Sequence, residues 1–564
     1  MAVHDMATAR PWLGAYTPGV PAEIDESSLG TVADLFARSV REHGPHPALE
    51  SFGKRVTYEE LGRAAGAVAG WLQQQGLRKG DRVAIMMPNV LAYPPVLFGV
   101  LQAGCIVVNV NPLYTARELA HQLHDAGAKV LFVLENFAHT VEEALPHLAL
   151  ERIVVATPGD LMGLKGLVVN LVSRRVKKAV KPYTLPAPVA FSTVLATGGV
   201  PKPVPLSGDD VAVLQYTGGT TGVAKAATLL HRNVAANVEQ CAAWFAPALA
   251  GGTRHIMVTA LPLYHIFALT ACCLLMMRVG ACCLLIANPR DLDGFVKTLK
   301  TRPFTIMTGV NTLYNALAAH AAIREVDFSK LALCIAGGMA TQAAVAKRWK
   351  DLTGKAIVEG YGLSETSPVV CCNRLDLDEF SGTIGYPVPS TEVEARRPDG
   401  TTAPQGEPGE LCVRGPQVMA GYWNRPDETA AVTEADGFFR TGDVAVILPD
   451  GQVKIVDRMK DMVLVSGFNV YPNEVEDVLA AHRGVMECAV TGRPDATTGE
   501  MVVAHVVRSD PSVTAEELRA FCRESLTAYK VPKLFVFRDA LPKTPVGKVL
   551  RRALKDEHGT PASD

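Results

Sequence analysis

A chain of 564 residues is too long for a single hydrophobic core, so two or more domains are expected. Its 55 basic and 57 acidic residues leave a formal net charge of -2, which removes the electrostatic case for a nucleic-acid partner. Twelve cysteines occur without any CxxC spacing, six of them as adjacent pairs in largely apolar runs; this argues against a metal cluster or disulfide framework and for reduced, buried thiols in a cytoplasmic protein.

In chain order, the N-terminal MAVHDMATARPWL has no long apolar stretch, so no secretory signal is expected. Thr57-Tyr58-Glu59-Glu60 opens a run with helical spacing that reaches Gln75. Short apolar strands are predicted at 82–85, 106–110 and 130–134, with a helical stretch at 93–101 between the first two. Such alternation predicts an α/β domain whose sheets are parallel and covered on both faces. Residues 161–208 contain no acidic residue. Within them Leu164, Val168, Val172, Val176 and Val180 recur every four positions among Lys165, Arg174, Arg175, Lys177, Lys178 and Lys181, the pattern of a one-sided basic helix ending before Pro182. The rest of that segment, rich in proline, serine and threonine, reads as loop.

The α/β pattern resumes at Val211 and runs to about Leu375. The apolar stretch 267–287 is interrupted by Arg278, which leaves halves too short to span a bilayer and predicts buried core. From 382 to 456, short strand-like runs alternate with Pro-Gly and Asp-Gly turns, predicting a small, barrel-like antiparallel unit inside an N-terminal domain of residues 1–457. The charged junction Asp457-Arg458-Met459-Lys460-Asp461 is expected to be a hinge, and 462–564 a small, mobile α+β domain with helices at 473–480 and 515–526 and strands at 485–490 and 501–507.

The strongest local signal is Tyr216-Thr217-Gly218-Gly219-Thr220-Thr221-Gly222-Val223-Ala224-Lys225, which follows the strand-like 211–214. Three glycines bring backbone N–H groups close to an anion, the threonines add hydroxyls and Lys225 adds a mobile positive charge, a combination suited to polyphosphate. It is not a Walker A loop, because GxxxxGK[ST] is absent. Ala336-Gly337-Gly338-Met339 ends a strand at 331–335, where the glycines let a flat ring lie on the backbone. Tyr361-Gly362-Leu363-Ser364-Glu365-Thr366 offers a hard carboxylate of the kind Mg2+ prefers beside phosphate. Asp443 in Phe439-Arg440-Thr441-Gly442-Asp443 offers two acceptor oxygens, and Lys548 projects from the turn Pro542-Lys543-Thr544-Pro545-Val546-Gly547.

Together these segments resemble the signature motifs of the adenylate-forming superfamily of acyl-CoA synthetases, luciferases and adenylation domains, over nearly the whole chain from Thr57 to Lys548. The resemblance implies ATP, Mg2+ and coenzyme A as the small molecules used. It assigns the β- and γ-phosphates to the loop from Thr217 through Gly218, Gly219, Thr220, Thr221 and Gly222 to Lys225. It assigns Mg2+ to Glu365 with Thr217, the α-phosphate to Thr366, adenine to Gly337, Gly338, Gly360 and Tyr361, and AMP more broadly to the motif that includes Gly362. Asp443 is implied to accept from both ribose hydroxyls, Arg458 to add a ribose or phosphate contact, and Lys548 to be the catalytic lysine of adenylate formation. The small domain is implied to rotate about Asp457 and present Gly467 to a thiol channel, and His265 to sit near the acyl pocket and phosphate.

Segments 309–314 and 463–476 are especially similar to bacterial long-chain fatty acyl-CoA synthetases, so a fatty acid and coenzyme A are the expected partners. Three alternatives stay open from sequence: a medium-chain or aryl acid–CoA ligase, an adenylating enzyme serving a carrier-protein thiol, and a non-enzymatic lipid-binding protein, the last disfavoured by the intact loop and terminal lysine. No tryptophan closely follows His265, where some relatives carry a tunnel gate, so chain length is left open. Reversible association of residues 164–181 with an anionic membrane at the inner face, and a homodimer, complete the expectations.

Overall fold

A computed structural model describes residues 10–217, 224–250, 254–544 and 547–556. Capping chemistry sets the early helix starts. Thr57 accepts the Glu60 N–H at 3.1 Å while the Glu60 carboxylate accepts the Thr57 N–H at 2.9 Å, launching the helix Tyr58–Gln74. The same reciprocal box, Thr115 with Glu118, starts Ala116–Ala126.

The α/β expectation holds in two large mixed sheets. The eight-stranded sheet runs Gly421–Tyr422, Lys225–Leu230, Val211–Thr217, Ile106–Asn109, Arg82–Met86, Ala128–Leu134, Arg152–Ala156, Val189–Ala190. It is parallel from Val211–Thr217 onward and antiparallel at the first two pairings. The nine-stranded sheet is parallel through Ile357–Gly362, Leu333–Ala336, Ile306–Gly309, Ile256–Thr259, Cys282–Leu285 and Pro47–Ser51, with antiparallel strands at both edges. Ile106–Asn109 and Leu333–Ala336 are buried at every position, as strands covered on both faces must be. The apolar stretch read as core is core: the π-helix Ala268–Leu274, the helix Leu275–Arg278 and the strand Cys282–Leu285 contribute to one cluster that includes Phe98 and Trp244. All twelve cysteines are free and buried. Among the described residues no helix is long and apolar enough to cross a membrane.

The antiparallel unit is a four-stranded sheet, Glu392–Arg396, Pro408–Arg414, Phe439–Ile447 and Val453–Arg458 in that order. Gly385 bridges to Val453 and seats it beside the nine-stranded sheet. The C-terminal α+β unit holds five strands, with Val485–Asp495 and Gly499–Arg508 as a long hairpin and Leu534–Arg538 parallel to the latter. It packs its own core, which includes Val465, Leu479, Val502, Ala504, Val506 and Leu518.

One expectation is corrected. The part of 161–208 read as loop contains the strand Val189–Ala190 and the helix Phe191–Thr197. Phe191 and Val194 are buried and decide the local structure against its proline-rich surroundings.

Candidate active site

Buried amides place the segment that carries His265. Asn89 donates to the carbonyls of Thr259 and Leu261 at 2.9 and 2.8 Å and accepts the Leu263 N–H at 2.8 Å. Gln215, on the strand that ends at Thr217, donates to the Tyr264 carbonyl at 3.1 Å. Nδ1 of His265 accepts the Phe267 N–H at 3.3 Å, which puts the proton of the neutral ring on Nε2. Burial, with Lys548 adding repulsion, pulls this imidazole down to about 4, so it is a neutral donor near pH 7.

A cavity of about 950 Å³ lies between the large and small units. Gly338, Gly360, Tyr361, Gly362, Asp443 and Arg458 line it from one side and Lys548 from the other. Each glycine has its own reason. Gly338 has φ +80°, and a Cβ there would find nothing nearer than 4.0 Å, so its backbone faces open space. At Gly337 a Cβ would come within 3.0 Å of the Gly360 carbonyl, and at Gly362 within 1.8 Å of the Pro368 carbonyl. Gly360 has ordinary room, its nearest contact being 3.7 Å away.

Asp443 and Arg458 are partners across adjacent antiparallel strands, with Arg458 Nε 3.1 Å from Asp443 Oδ1. The Tyr361 hydroxyl donates to Oδ2 at 2.6 Å; burial raises this phenol well above its ordinary value and keeps it a donor. Two acceptor sites of the carboxylate remain for a diol. Lys548 is delivered by a tight turn. Thr544 N–H donates to the Lys548 carbonyl at 2.7 Å, Lys548 N–H to Thr544 Oγ1 at 3.1 Å, and Gly547 takes φ +86°. Thr312 Oγ1 docks that turn by donating to the Gly547 carbonyl at 3.2 Å. Withdrawal from water, then Arg458, pulls the Lys548 ammonium down to about 7, with Asp443 opposing.

A second cluster surrounds Glu365. Tyr422 donates its hydroxyl to Glu365 Oε1 at 2.9 Å, and burial raises the Glu365 carboxyl above the ordinary range. Lys225 Nζ lies 5.0 Å from the centre of the Tyr422 ring and pairs with Glu428. Thr217 and Lys225 are Cα partners at the mouth of an antiparallel strand pair. Gly218, Gly219, Thr220, Thr221 and Gly222, which join them, lie outside the described residues. Ala226 continues the strand opposite Tyr216 with ordinary backbone angles.

The model for AMP-binding enzymes matches residues 36–423, and that for the AMP-binding enzyme C-terminal domain matches 474–548. The chain belongs to the AMP-binding enzyme family. It is 52% identical over 553 residues to the long-chain-fatty-acid–CoA ligase of Escherichia coli O6:H1, covering 97% of this chain and 98% of that relative. Among solved structures it resembles ATP-bound MatB from Rhodopseudomonas palustris, at TM-score 0.79 and 29% identity over 93% of this chain and 99% of that one. It also resembles the anthranilate CoA ligase AuaEII with anthranoyl-AMP, at TM-score 0.84 and 25% identity over 95% and 100%.

Within this AMP-binding enzyme the expected residues do not all converge. Thr366 is fully buried, and its hydroxyl donates to the Pro368 carbonyl at 2.5 Å and accepts the Leu363 N–H at 3.0 Å. It closes its own turn and, like Thr217, Lys225, His265, Gly337 and Glu365, is not among the residues that line the cavity. Gly467 sits in the hairpin of Val463–Val465 and Phe468–Val470 with φ +84° and is also outside the cavity lining. Sequence reasoning missed Tyr422, Glu428 and Arg551. Arg551 donates to both Glu476 oxygens at 2.8 Å and to Asn473 Oδ1 at 2.7 Å, and its Nη1 lies 3.8 Å from Asp457. Its place three residues after Lys548 was a usable signal; nothing local marks Tyr422 or Glu428.

Proposed function

We propose that this enzyme activates a long-chain fatty acid with ATP and transfers it to coenzyme A. A carboxylate oxygen attacks the α-phosphorus, the bond to the β-phosphate oxygen breaks and pyrophosphate leaves. The thiol sulfur then attacks the acyl carbon, the bond to AMP breaks, and the thiol proton passes to solvent. The observation that carries this reading is Lys548 reaching from the small unit into the cavity that holds Asp443, Arg458 and Tyr361. There its ammonium is suited to offset charge developing on the α-phosphate and attacking oxygen. Tyr361 and the open backbone at Gly338 fit a flat base, and Asp443 fits the ribose hydroxyls. Neutral His265 offers Nε2–H to a carboxylate or phosphate oxygen. The near-full-length likeness to a long-chain-fatty-acid–CoA ligase supports the choice of acid and of thiol.

Glu365 would hold Mg2+ beside Thr217, one carboxylate with the remaining ligands from phosphate and water, as suits that ion. Residues 457–461 would be the hinge. Asp457 accepts the Arg458 N–H at 2.7 Å and the Asn473 N–H at 2.9 Å, a junction at which the small unit, residues 462–564, could turn to bring Gly467 to the thiol. The test separates the half-reactions across acids of increasing length. Lys548→Ala should lower acid-dependent ATP–pyrophosphate exchange by about 10²–10³-fold and affect thioester formation from supplied acyl-adenylate far less. Equal loss in both sinks the assignment of Lys548; a preference for aryl or short acids sinks the choice of substrate.

A second reading concerns location. The helix Leu164–Leu171 and its π-helical turn Val172–Val176 pack Val169 against the core but expose Leu164 by 85% and Val176 by 72%, along with Leu167, Val168 and Leu171. These exposed side chains are not packed on the domain, which supports contact with a surface beyond it. The opposite face is fixed: Gly166 lies against Gly159, Asn170 accepts the Gly159 N–H at 2.8 Å, and Arg174 pairs with Glu135 at 2.6 Å. Lys165, Arg175, Lys178 and Lys181 have no ion-pair partner among the described residues. We infer reversible docking of this segment on an anionic membrane, where four such cations contribute up to about 4 kcal/mol and the apolar residues enter the headgroup region. Changing those four to glutamine should abolish low-salt co-sedimentation with anionic vesicles. Equal sedimentation of both proteins rejects the segment, and none by either rejects membrane docking.

A further inference from the structure

The chain between Met419 and Thr429 grips both halves of the phosphate site from outside the nucleotide motifs. Gly421 and Tyr422 extend the edge of the eight-stranded sheet, pairing with Thr228 and Ala227, just beyond Lys225. Met419 N–H donates to the Glu365 carbonyl at 2.7 Å. Tyr422 N–H donates to Thr429 Oγ1 at 2.9 Å, which ties the strand to the helix Pro426–Ala430 that bears Glu428. Glu428 pairs with Lys225, and Arg425, 3.8 Å from Glu428, also reaches Asp125 at 3.1 Å. Asp125 in turn accepts the hydroxyl of Tyr216 at 2.7 Å, directly before Thr217.

Tyr422 is the junction of this set. Its hydroxyl meets Glu365 Oε1 at 2.9 Å and its ring meets Lys225 Nζ at 5.0 Å. Among the described residues no other residue's hydrogen bond to the Glu365 carboxylate is seen. That buried group is therefore oriented by its own backbone N–H and by one side chain, Tyr422. The ring face attracts the ammonium of Lys225 without neutralising it, unlike Glu428, which must give way to phosphate.

We propose that Tyr422 is a positioning residue for metal–nucleotide binding: its hydroxyl orients Glu365 toward the metal, and its ring holds Lys225 within reach of the phosphates. This rests on the reading of Glu365 as the Mg2+ carboxylate. The two functions are separable, because Tyr422→Phe removes the hydroxyl and keeps the ring, whereas Tyr422→Leu removes both.

The test is calorimetric titration of the full-length protein with ATP, once with Mg2+ and once with EDTA, which needs no turnover. Tyr422→Phe should weaken Mg–ATP binding about fivefold, the scale of one hydrogen bond, and leave metal-free ATP binding unchanged. Tyr422→Leu should weaken both. In Glu365→Gln, adding Tyr422→Phe should cause no further loss, since coupled residues are non-additive. Wild-type Mg–ATP binding by Tyr422→Phe, alongside weakened binding by Glu365→Gln, overturns the inference and leaves the reading of Glu365 intact. Unchanged binding by Glu365→Gln overturns both. An equal loss for Tyr422→Phe with and without metal, or additive losses in the double variant, overturns the positioning role. Tyr422→Leu behaving as Tyr422→Phe overturns the part played by Lys225.

Discussion

Raising the pH should switch adenylate formation off through Lys548. This lysine lines the cavity between the units, where Arg458, Arg551 and Lys460 repel its charge and Asp443 attracts it, and its ammonium is pulled down to about 7 by withdrawal from water and then by Arg458. A lysine with a lowered value keeps its charge below that value and loses it as pH rises through it. With one proton lost at about 7, roughly a tenth of the free enzyme remains charged one unit higher, so kcat/KM for ATP should fall about tenfold per unit above that point. Bound triphosphate restores the proton, so the corresponding limb in kcat should move to higher pH. His265, near 4, adds no limb above about pH 5. The assay is fatty-acid-dependent ATP–pyrophosphate exchange from pH 6 to 9, run in parallel on Lys548→Arg. Arginine stays protonated throughout, so that variant should be slower but flat above pH 7. A flat wild-type profile, or the same limb in Lys548→Arg, would show that the Lys548 ammonium does not govern the pH dependence.

Three further outcomes follow from the same geometry. Gly362→Ala should destabilise the large unit by about 2 kcal/mol or more, because the added Cβ meets the Pro368 carbonyl at 1.8 Å, whereas Gly360→Ala, with 3.7 Å of room, should cost under about 1 kcal/mol; urea midpoints compare them. Asp443→Asn should raise the KM for ATP about tenfold and blunt discrimination against 2′-deoxy-ATP, since the carboxylate that accepts from Tyr361 and pairs with Arg458 is the candidate ribose acceptor. Arg551→Ala should cost the small unit about 3 kcal/mol in denaturant unfolding, because it leaves Glu476 and Asp457 without their cation.

Much of this was legible because the signals were local. Thr57-x-x-Glu60 set a helix start, alternating short apolar runs marked the sheets, and the residues flanking Lys548 marked a turn that the structure builds through Thr544 and Gly547. What escaped depends on contacts between distant segments. Glu365 and Tyr422 are 57 positions apart and meet only because Gly421–Tyr422 adds to the sheet edge beside Lys225. The hydroxyl of Thr366 could serve phosphate or backbone from sequence, and in the fold it donates to the Pro368 carbonyl. The four-residue spacing from Leu164 to Val176 describes a buried or an exposed stripe equally well, and only the fold shows it exposed. Phe191 and Val194 make a helix where proline-rich composition suggested none, through tertiary burial.

The acid is activated as an adenylate before it meets the thiol. Long-chain fatty acid labelled with 18O in its carboxyl group, incubated with the enzyme, ATP, Mg2+ and coenzyme A, tests this in one mass spectrum. Attack of the carboxylate on the α-phosphorus predicts that AMP carries one 18O per acyl-CoA formed and that pyrophosphate carries none. Label in inorganic phosphate or pyrophosphate, or unlabelled AMP accompanying acyl-CoA, would contradict the account.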